Sequence, residues 1–398
     1  MSARTLAIVT QDPTQYGGVL RLVEYLYGRA EAAGFMPEVL HYASFKAHPE
    51  LHSSFINIAR GELNIVPKEK RYEFRGMRSR AFGVRFPAWE PQRIRSNARW
   101  RKALNEYDVA ILVTGSAQTG LMLADSGKPF SAWISSTVED DRRKRLASER
   151  SLSAWLEKRS LPIIRRAERR VLESAANVLA VSNDTRERLS ALRIRSECWP
   201  FPIDTERFSP TAKNNSSPQP APILRLEKAE FLFVGRASDP RKRIELFFEA
   251  CSRLKAMEPN LKFTAIVISV PIAQTGSHPF EVEWRSGISE WELIECYRSA
   301  TALVLTSEQE GLGIAAMEAM SCGTPVISTR CGGPETFIQD DVNGFFADSA
   351  EEIAARMLKL ATDAATRSAL AHAARRTIET SFSEIVWNDR FQKLLAGL

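Results

Sequence analysis

The chain alternates short, wholly apolar runs with longer stretches in which apolar residues recur every three or four positions. Residues 5–10, TLAIVT, predict a strand. In the following GGVLRLVEYLYGRAEAAG, Val19, Leu22, Val23 and Leu26 fall at helical spacing, and Gly34 marks the stop. A second strand is predicted over 38–42. YDVAILVTGSAQTGLMLADSGKPFSAWIS then reads strand, helix, glycine stop, strand. NVLAVSNDTRERLSAL repeats strand and helix, with Ser182 or Asp184 placed to cap. The text changes at SPTAKNNSSPQPAPILRLEK, which is rich in Pro, Ser and Asn and has a linker's composition. The pattern restarts with AEFLFVGR as a strand, a helix over 241–257, the strand FTAIVIS, a helix over 291–299 and the strand ALVLTS.

Apolar strands alternating with helices imply parallel sheets covered on both faces, so the fold class is α/β with two Rossmann-like domains. A length of 398 residues also exceeds one ordinary core. The expected domains are 1–207, a linker over 208–229, and 230–382, with a helix over 383–398 that could belong to either half and cross back to the first.

Composition adds exclusions. With 44% hydrophobic and 26% charged residues the chain reads as a soluble globular protein. Its best apolar run, 263–273, includes a proline and falls well short of the roughly 20 residues that cross a bilayer. MSARTLAIVTQDP lacks a signal peptide's long apolar core, so a cytoplasmic location is expected. The five cysteines form no CxxC pair, and the five histidines show no HxxxH or HExxH spacing. Reduced core thiols, no protein-held metal and no cofactor are therefore expected.

Charge is unevenly spread. Residues 1–207 carry 34 Lys and Arg against 24 Asp and Glu, and the remainder 20 against 24. Residues 68–102 hold 12 basic and 3 acidic side chains, interleaved with Tyr72, Phe74, Phe82, Phe86, Trp89 and Trp100. Three readings stay open: a solvated face, a pocket for a phosphorylated acceptor, or contact with an anionic membrane surface at its inner face. No recognised nucleic-acid module is present, and no nucleic-acid partner is expected.

The chemistry concentrates in SEQEGLGIAAMEAMSCGTPVIST. The strand ALVLTS ends at Ser307, Gly311 to Gly313 predict a tight turn, and a helix follows over 314–322 until Gly323 and Pro325 stop it. That helix is apolar nearly all round, so it offers Glu318 no solvated face, and a lone buried carboxylate needs a partner. The N–H groups of Gly311, Leu312 and Gly313 and the helix N-terminus favour an anion such as phosphate. A ligand along the helix would meet Glu310 on the loop and Glu318 two turns in. The plain alternative is a structural salt bridge for Glu318 and an exposed Glu310.

FVGRASDPRKRIELFFEA places Gly235 and Arg236 at a strand's carboxyl end, where open α/β sheets bind ligands. Asp239 suits an N-cap and Pro240 the first helical position. Arg241, Lys242 and Arg243 would then crowd the end of the helix dipole that disfavours cations, and a bound diphosphate would reverse that sign. A solvated basic turn is the alternative.

Together these segments resemble the family 4 retaining glycosyltransferases of the GT-B fold, glycosyl transferases group 1. EGLGIAAMEAMSCGTPVI is similar to that family's EGFGxxxxEAMAxGxPVI, VGR and KRIELFFEA to its VGR…KGxxxLLxA, RCGGPETFIQDDVNGFF to its GGxxE…NGxL, and PIDTERFSP to its GVDxxxFxP. The first half is less similar, its YGGVLRLVEYL resembling the glycine-rich first loop. The resemblance implies two domains facing each other across a cleft, and transfer with retention from a UDP- or GDP-linked sugar to an acceptor hydroxyl on a glycan or lipid-linked acceptor. The nucleotide-diphosphate sugar is then substrate, and no metal is required. Arg236 and Lys242 would grip the diphosphate, Glu310 the donor sugar and Glu318 the ribose. Gly235, Gly311, Leu312 and Gly313 would line the phosphate site, faced by Gly17 and Gly18. The family's acceptor-side histidine is absent from KPFSAWISSTVEDD, where Ser135, Ser136 or Thr137 would take its place. A non-catalytic nucleotide-sugar or glycan-binding member, and an epimerase or hydrolase of the same fold, are the other readings.

Overall fold

The computed structural model describes residues 3–14, 17–44, 46–52, 69–84, 89–95, 98–142, 152–210, 228–269 and 277–397. The chain forms two compact units, Met1–Trp199 with Arg390–Leu398, and Pro200–Asp389.

In the first unit, β1 (Thr5–Thr10) pairs in parallel with β2 (Met36–Tyr42) and β5 (Val109–Thr114), followed outward by β6 (Ser131–Ile134), β7 (Asn177–Ala180) and β8 (Glu197–Cys198). The other flank is β4 (Met77–Phe82), parallel to β2, and the antiparallel edge strand β3 (Glu69–Phe74). Every residue of β5 and β6 is buried, as a strand covered on both faces requires. The helices are α1 (Gly18–Ala32), α2 (Glu90–Arg93), α3 (Ala98–Leu104), α4 (Leu121–Ser126), α5 (Leu152–Ser174) and α6 (Asn183–Ala191). Of the two caps considered for α6, Ser182 is the one used, its hydroxyl accepting the Thr185 N–H at 3.1 Å.

The basic run over 68–102 sorts its side chains by face. Phe82 and Trp100 are buried and stacked, with centroids 4.0 Å apart, and Tyr72 packs edge-on against His41. Three exposed cations pair at the surface, Lys70 with Glu50, Arg71 with Glu106 and Arg75 with Glu24, while the buried Arg80 pairs with both Glu69 and Glu106. Residues 68, 85–88, 96 and 97 lie outside the described residues.

The second unit is a six-stranded parallel sheet ordered β11-β10-β9-β12-β13-β14, from β9 (Ala229–Val234), β10 (Phe263–Ile268), β11 (Glu281–Arg285), β12 (Ala302–Leu305), β13 (Val326–Ser328) and β14 (Phe345–Phe346). Around it lie α7 (Ile244–Met257), α8 (Glu290–Ser299), α9 (Ile314–Ser321), α10 (Ala350–Thr362) and α11 (Ala364–Thr377). Ser289 and Ser349 open α8 and α10 with full capping boxes to Glu292 and Glu352. Residues 200–210 belong to this unit rather than to the first. Phe208 is buried and its carbonyl accepts from Ser321 and Arg375, while Arg298 donates to the Ser209 carbonyl. Residues 211–227 of the expected linker lie outside the described residues. The last helix, α12 (Glu384–Ala396), starts in the second unit and ends in the first, where Phe391 packs against Tyr25, Trp133 and Trp199.

Candidate active site

The carboxyl edge of the second sheet gathers the charged residues. Beyond β9, Gly235 leads into a single 3-10 turn, Pro240–Lys242, capped by Asp239. Asp239 accepts the Arg241 N–H at 3.1 Å and the guanidinium groups of Arg236 and Arg241, each at 2.9 Å. Burial pushes its carboxyl up, but the Arg241 hydrogen bonds and the nearby Arg236 charge outweigh that and hold it below the usual range.

The expected crowd of cations in a helix first turn is not what forms. Arg241 and Lys242 stand in the 3-10 turn, and Arg243, left-handed at φ 46°, separates it from α7. The Arg243 guanidinium donates to the carbonyls of Thr306 at 2.8 Å and Ser307 at 3.3 Å, fastening this turn to the end of β12.

Lys242 reaches from that turn to Glu310, with which it forms an ion pair of two largely buried side chains. The Ser307 hydroxyl donates to the same Glu310 oxygen at 2.6 Å. The Glu310 backbone is pinned on both sides: its N–H donates to the Cys331 carbonyl at 2.8 Å, and its carbonyl accepts from Gly333 at 3.0 Å. This close approach of two loops needs glycine at 333, because a Cβ there would stand 2.5 Å from the Leu312 backbone. Gly311 and buried Leu312 lead to Gly313, whose φ of 87° turns the chain into α9. In the first turn of α9 the N–H groups of Ala316 and Met317 donate to the Gly313 carbonyl, at 2.9 and 3.3 Å.

Glu318, in the middle of α9, is buried, and the Tyr297 hydroxyl of α8 donates to it at 3.0 Å. The partner that a buried carboxylate at 318 requires is therefore in part internal, a phenol on one of its oxygens. Tyr297 is itself fully buried, and its carbonyl accepts from Thr324.

The remaining expected residues lie in the first unit. Gly17 precedes and Gly18 opens α1. Ser135 and Ser136 follow β6, half-buried, with hydroxyls on the carbonyls of Thr114 and Thr137 at 3.4 Å. Thr137 turns inward and donates to Asp140 at 2.5 Å. Beneath this loop the structure reveals a residue the sequence reading passed over. Glu168 of α5 is buried and accepts the Val138 N–H at 2.8 Å as well as that of Ala117, so it ties together the loops after β6 and β5. Burial raises its pKa to about 7. Asp140 and Arg142 lie nearby, and Arg142 is held by Glu90 at 2.6 Å. Among the described residues no cluster of His, Cys, Asp and Glu could hold a metal ion.

The sequence profile of glycosyl transferases group 1 matches residues 219–377. The second unit belongs to the glycosyl transferases group 1. This group 1 unit carries all of the edge residues just described. A D-inositol 3-phosphate glycosyltransferase from Salinispora tropica is 30% identical over 222 residues, covering 50% of this chain and 46% of the relative. The chain spans about half the length of the relatives it matches. Sucrose-phosphate synthase from Thermosynechococcus elongatus aligns with a TM-score of 0.71 over 99% of this chain and 98% of its own, at 18% identity. Anabaena HepE in complex with UDP-glucose gives 0.69 over 99% and 100%, at 15% identity. At such identities the likeness shows the fold, which is GT-B.

Proposed function

We propose that the protein is a retaining glycosyltransferase that moves a sugar from a UDP- or GDP-linked donor to an acceptor hydroxyl of a glycan or lipid-linked acceptor. The observation that carries this reading is the Lys242–Glu310 ion pair, set at a sheet's carboxyl edge against the N-terminus of α9 and inside the group 1 match. The cations that would hold a diphosphate are paired with carboxylates, Lys242 with Glu310 and Arg236 with Asp239. A donor diphosphate competes for Lys242 and Arg236 and leaves Glu310 free to accept from hydroxyls of the donor sugar. The amides around Gly311, Leu312 and Gly313 add donors to the phosphates. Glu318 meets the ribose while Tyr297 holds one of its oxygens.

In the transfer itself, charge grows on the departing diphosphate oxygen. Lys242, Arg236 and the α9 amides stabilise it, the kind of contribution that usually dominates catalysis. That oxygen takes the acceptor's proton, so attack and departure share one face of the sugar and configuration is retained. Calorimetric titration of UDP, GDP and ADP into the wild type and Glu318→Ala tests the reading. One nucleotide binds, and the substitution weakens it; failure of all three to bind overturns the proposal.

A further inference from the structure

The long helix α5 carries an outward face that nothing in the donor site explains. Trp155, Leu156 and Ile163 stand 51%, 45% and 48% exposed on it. At 100° per residue, Trp155, Arg159, Pro162, Ile163, Arg166 and Arg170 share one stripe, flanked by Lys158, Arg165 and Arg169. Ile164, Ala167, Glu168 and Val171 occupy the opposite, buried side. The Arg159 guanidinium lies 4.8 Å from the Trp155 ring centroid. Arg165, Arg169 and Arg170 meet Glu139, Glu173 and Asp125, while Lys158, Arg159 and Arg166 meet no carboxylate among the described residues.

We propose that this face of α5 docks the protein onto an anionic lipid surface. Cations interleaved with a tryptophan and branched aliphatics on one helical face match the two demands of a bilayer interface. Lipid phosphates attract the guanidinium groups, and the ring and aliphatic chains lie at the headgroup boundary. Leu156, Pro162 and Ile163 offer nothing for a nucleic acid to stack on or hydrogen-bond with, which favours lipid over RNA as the occupant. Within the 68–102 segment Phe82 and Trp100 are turned into the core, whereas Trp89 is 42% exposed and donates to the Ser160 hydroxyl of α5 at 3.1 Å. The assignment does not rest on the donor chemistry.

The test is co-sedimentation of the full chain with phosphatidylcholine vesicles made with and without phosphatidylglycerol, at low and high salt. The wild type should bind only the anionic vesicles. Each charge removed should lower the partition coefficient about fivefold, so Arg159→Glu with Arg166→Glu should lower it by a few tens of fold or more. Trp155→Ser with Ile163→Ser should weaken binding about tenfold and leave less of it at high salt. All four positions are exposed, so thermal unfolding of the variants should match the wild type. Absence of wild-type binding to anionic vesicles, or indifference to either pair of substitutions, overturns the proposal. So does a gel shift of single-stranded RNA at concentrations where vesicles are ignored, or self-association abolished by Trp155→Ser; these would assign the face to RNA or to a second copy.

Discussion

The carboxyl edges of the two sheets use charge differently. In the second unit, Lys242, Glu310, Arg236 and Asp239 satisfy one another at an edge that water reaches, Arg236 being half exposed. In the first unit, Glu168, Asp140 and Arg142 are buried, and Glu168 spends its oxygens on backbone N–H groups. The half-exposed Arg236 can trade Asp239 for a ligand's charge at little cost, whereas a buried charge cannot be parted from its partners without being stranded in low dielectric. The edge of the second unit thus suits exchange, and that of the first unit holds loops in place.

Substitutions at each edge can break this contrast. Lys242→Ala should have the largest effect, lowering the transfer rate by about 100- to 1,000-fold, as loss of one donor to a developing oxyanion does. Its fold should survive, and sugar transfer under single-turnover conditions reads the effect. A fall of less than tenfold would mean that Lys242 serves Glu310 alone.

Glu168→Gln tests the other edge. Because the folded-state pKa is raised from 4.5 to about 7, the native protein holds a proton that the unfolded chain releases between those values. Stability contributed by this group is therefore present at low pH and lost as pH rises through 7. By pH 8 the cost reaches up to about 3 kcal/mol. Urea unfolding of Glu168→Gln should match the wild type near pH 4 and exceed it at pH 8; parallel pH profiles would refute a buried, proton-holding Glu168.

Gly333→Ala should destabilise the second unit by about 2 kcal/mol through overpacking against Leu312, seen as a lower urea midpoint. An unchanged midpoint would show that the two loops separate readily. Tyr297→Phe should be mildest: loss of one hydrogen bond to Glu318 costs about 1 to 2 kcal/mol of stability and weakens nucleotide binding by less than Glu318→Ala does.

Much of the second unit was legible because its signals are local. AEFLFV and ALVL are unbroken apolar runs, the glycines at 311 and 313 mark the turn, and the helix predicted over 314–322 is observed as Ile314–Ser321. What escaped is what depends on distance or on mixed patterns. The Tyr297–Glu318 bond joins two helices 21 residues apart, and the Lys242–Glu310 pair spans 68. The hairpin of β3 and β4 buries Arg80 and Phe82 while Lys70, Arg71 and Arg78 stay exposed, a sorting that composition alone does not give. Helix α5 hid behind an internal Pro162 and a run of arginines, which obscured the buried Glu168 on its inner side.

The path of the last helix makes the architecture an insertion. Residues 200–389 are bracketed by two segments of the other unit, and Phe391, from the second bracket, fills the space between Tyr25, Trp133 and Trp199. The second unit is therefore the contiguous cassette, transferable between chains by two crossovers near 199 and 389. The first unit has no such contiguous gene: a fragment ending at residue 199 would leave the three aromatic rings around Phe391 facing an empty seat.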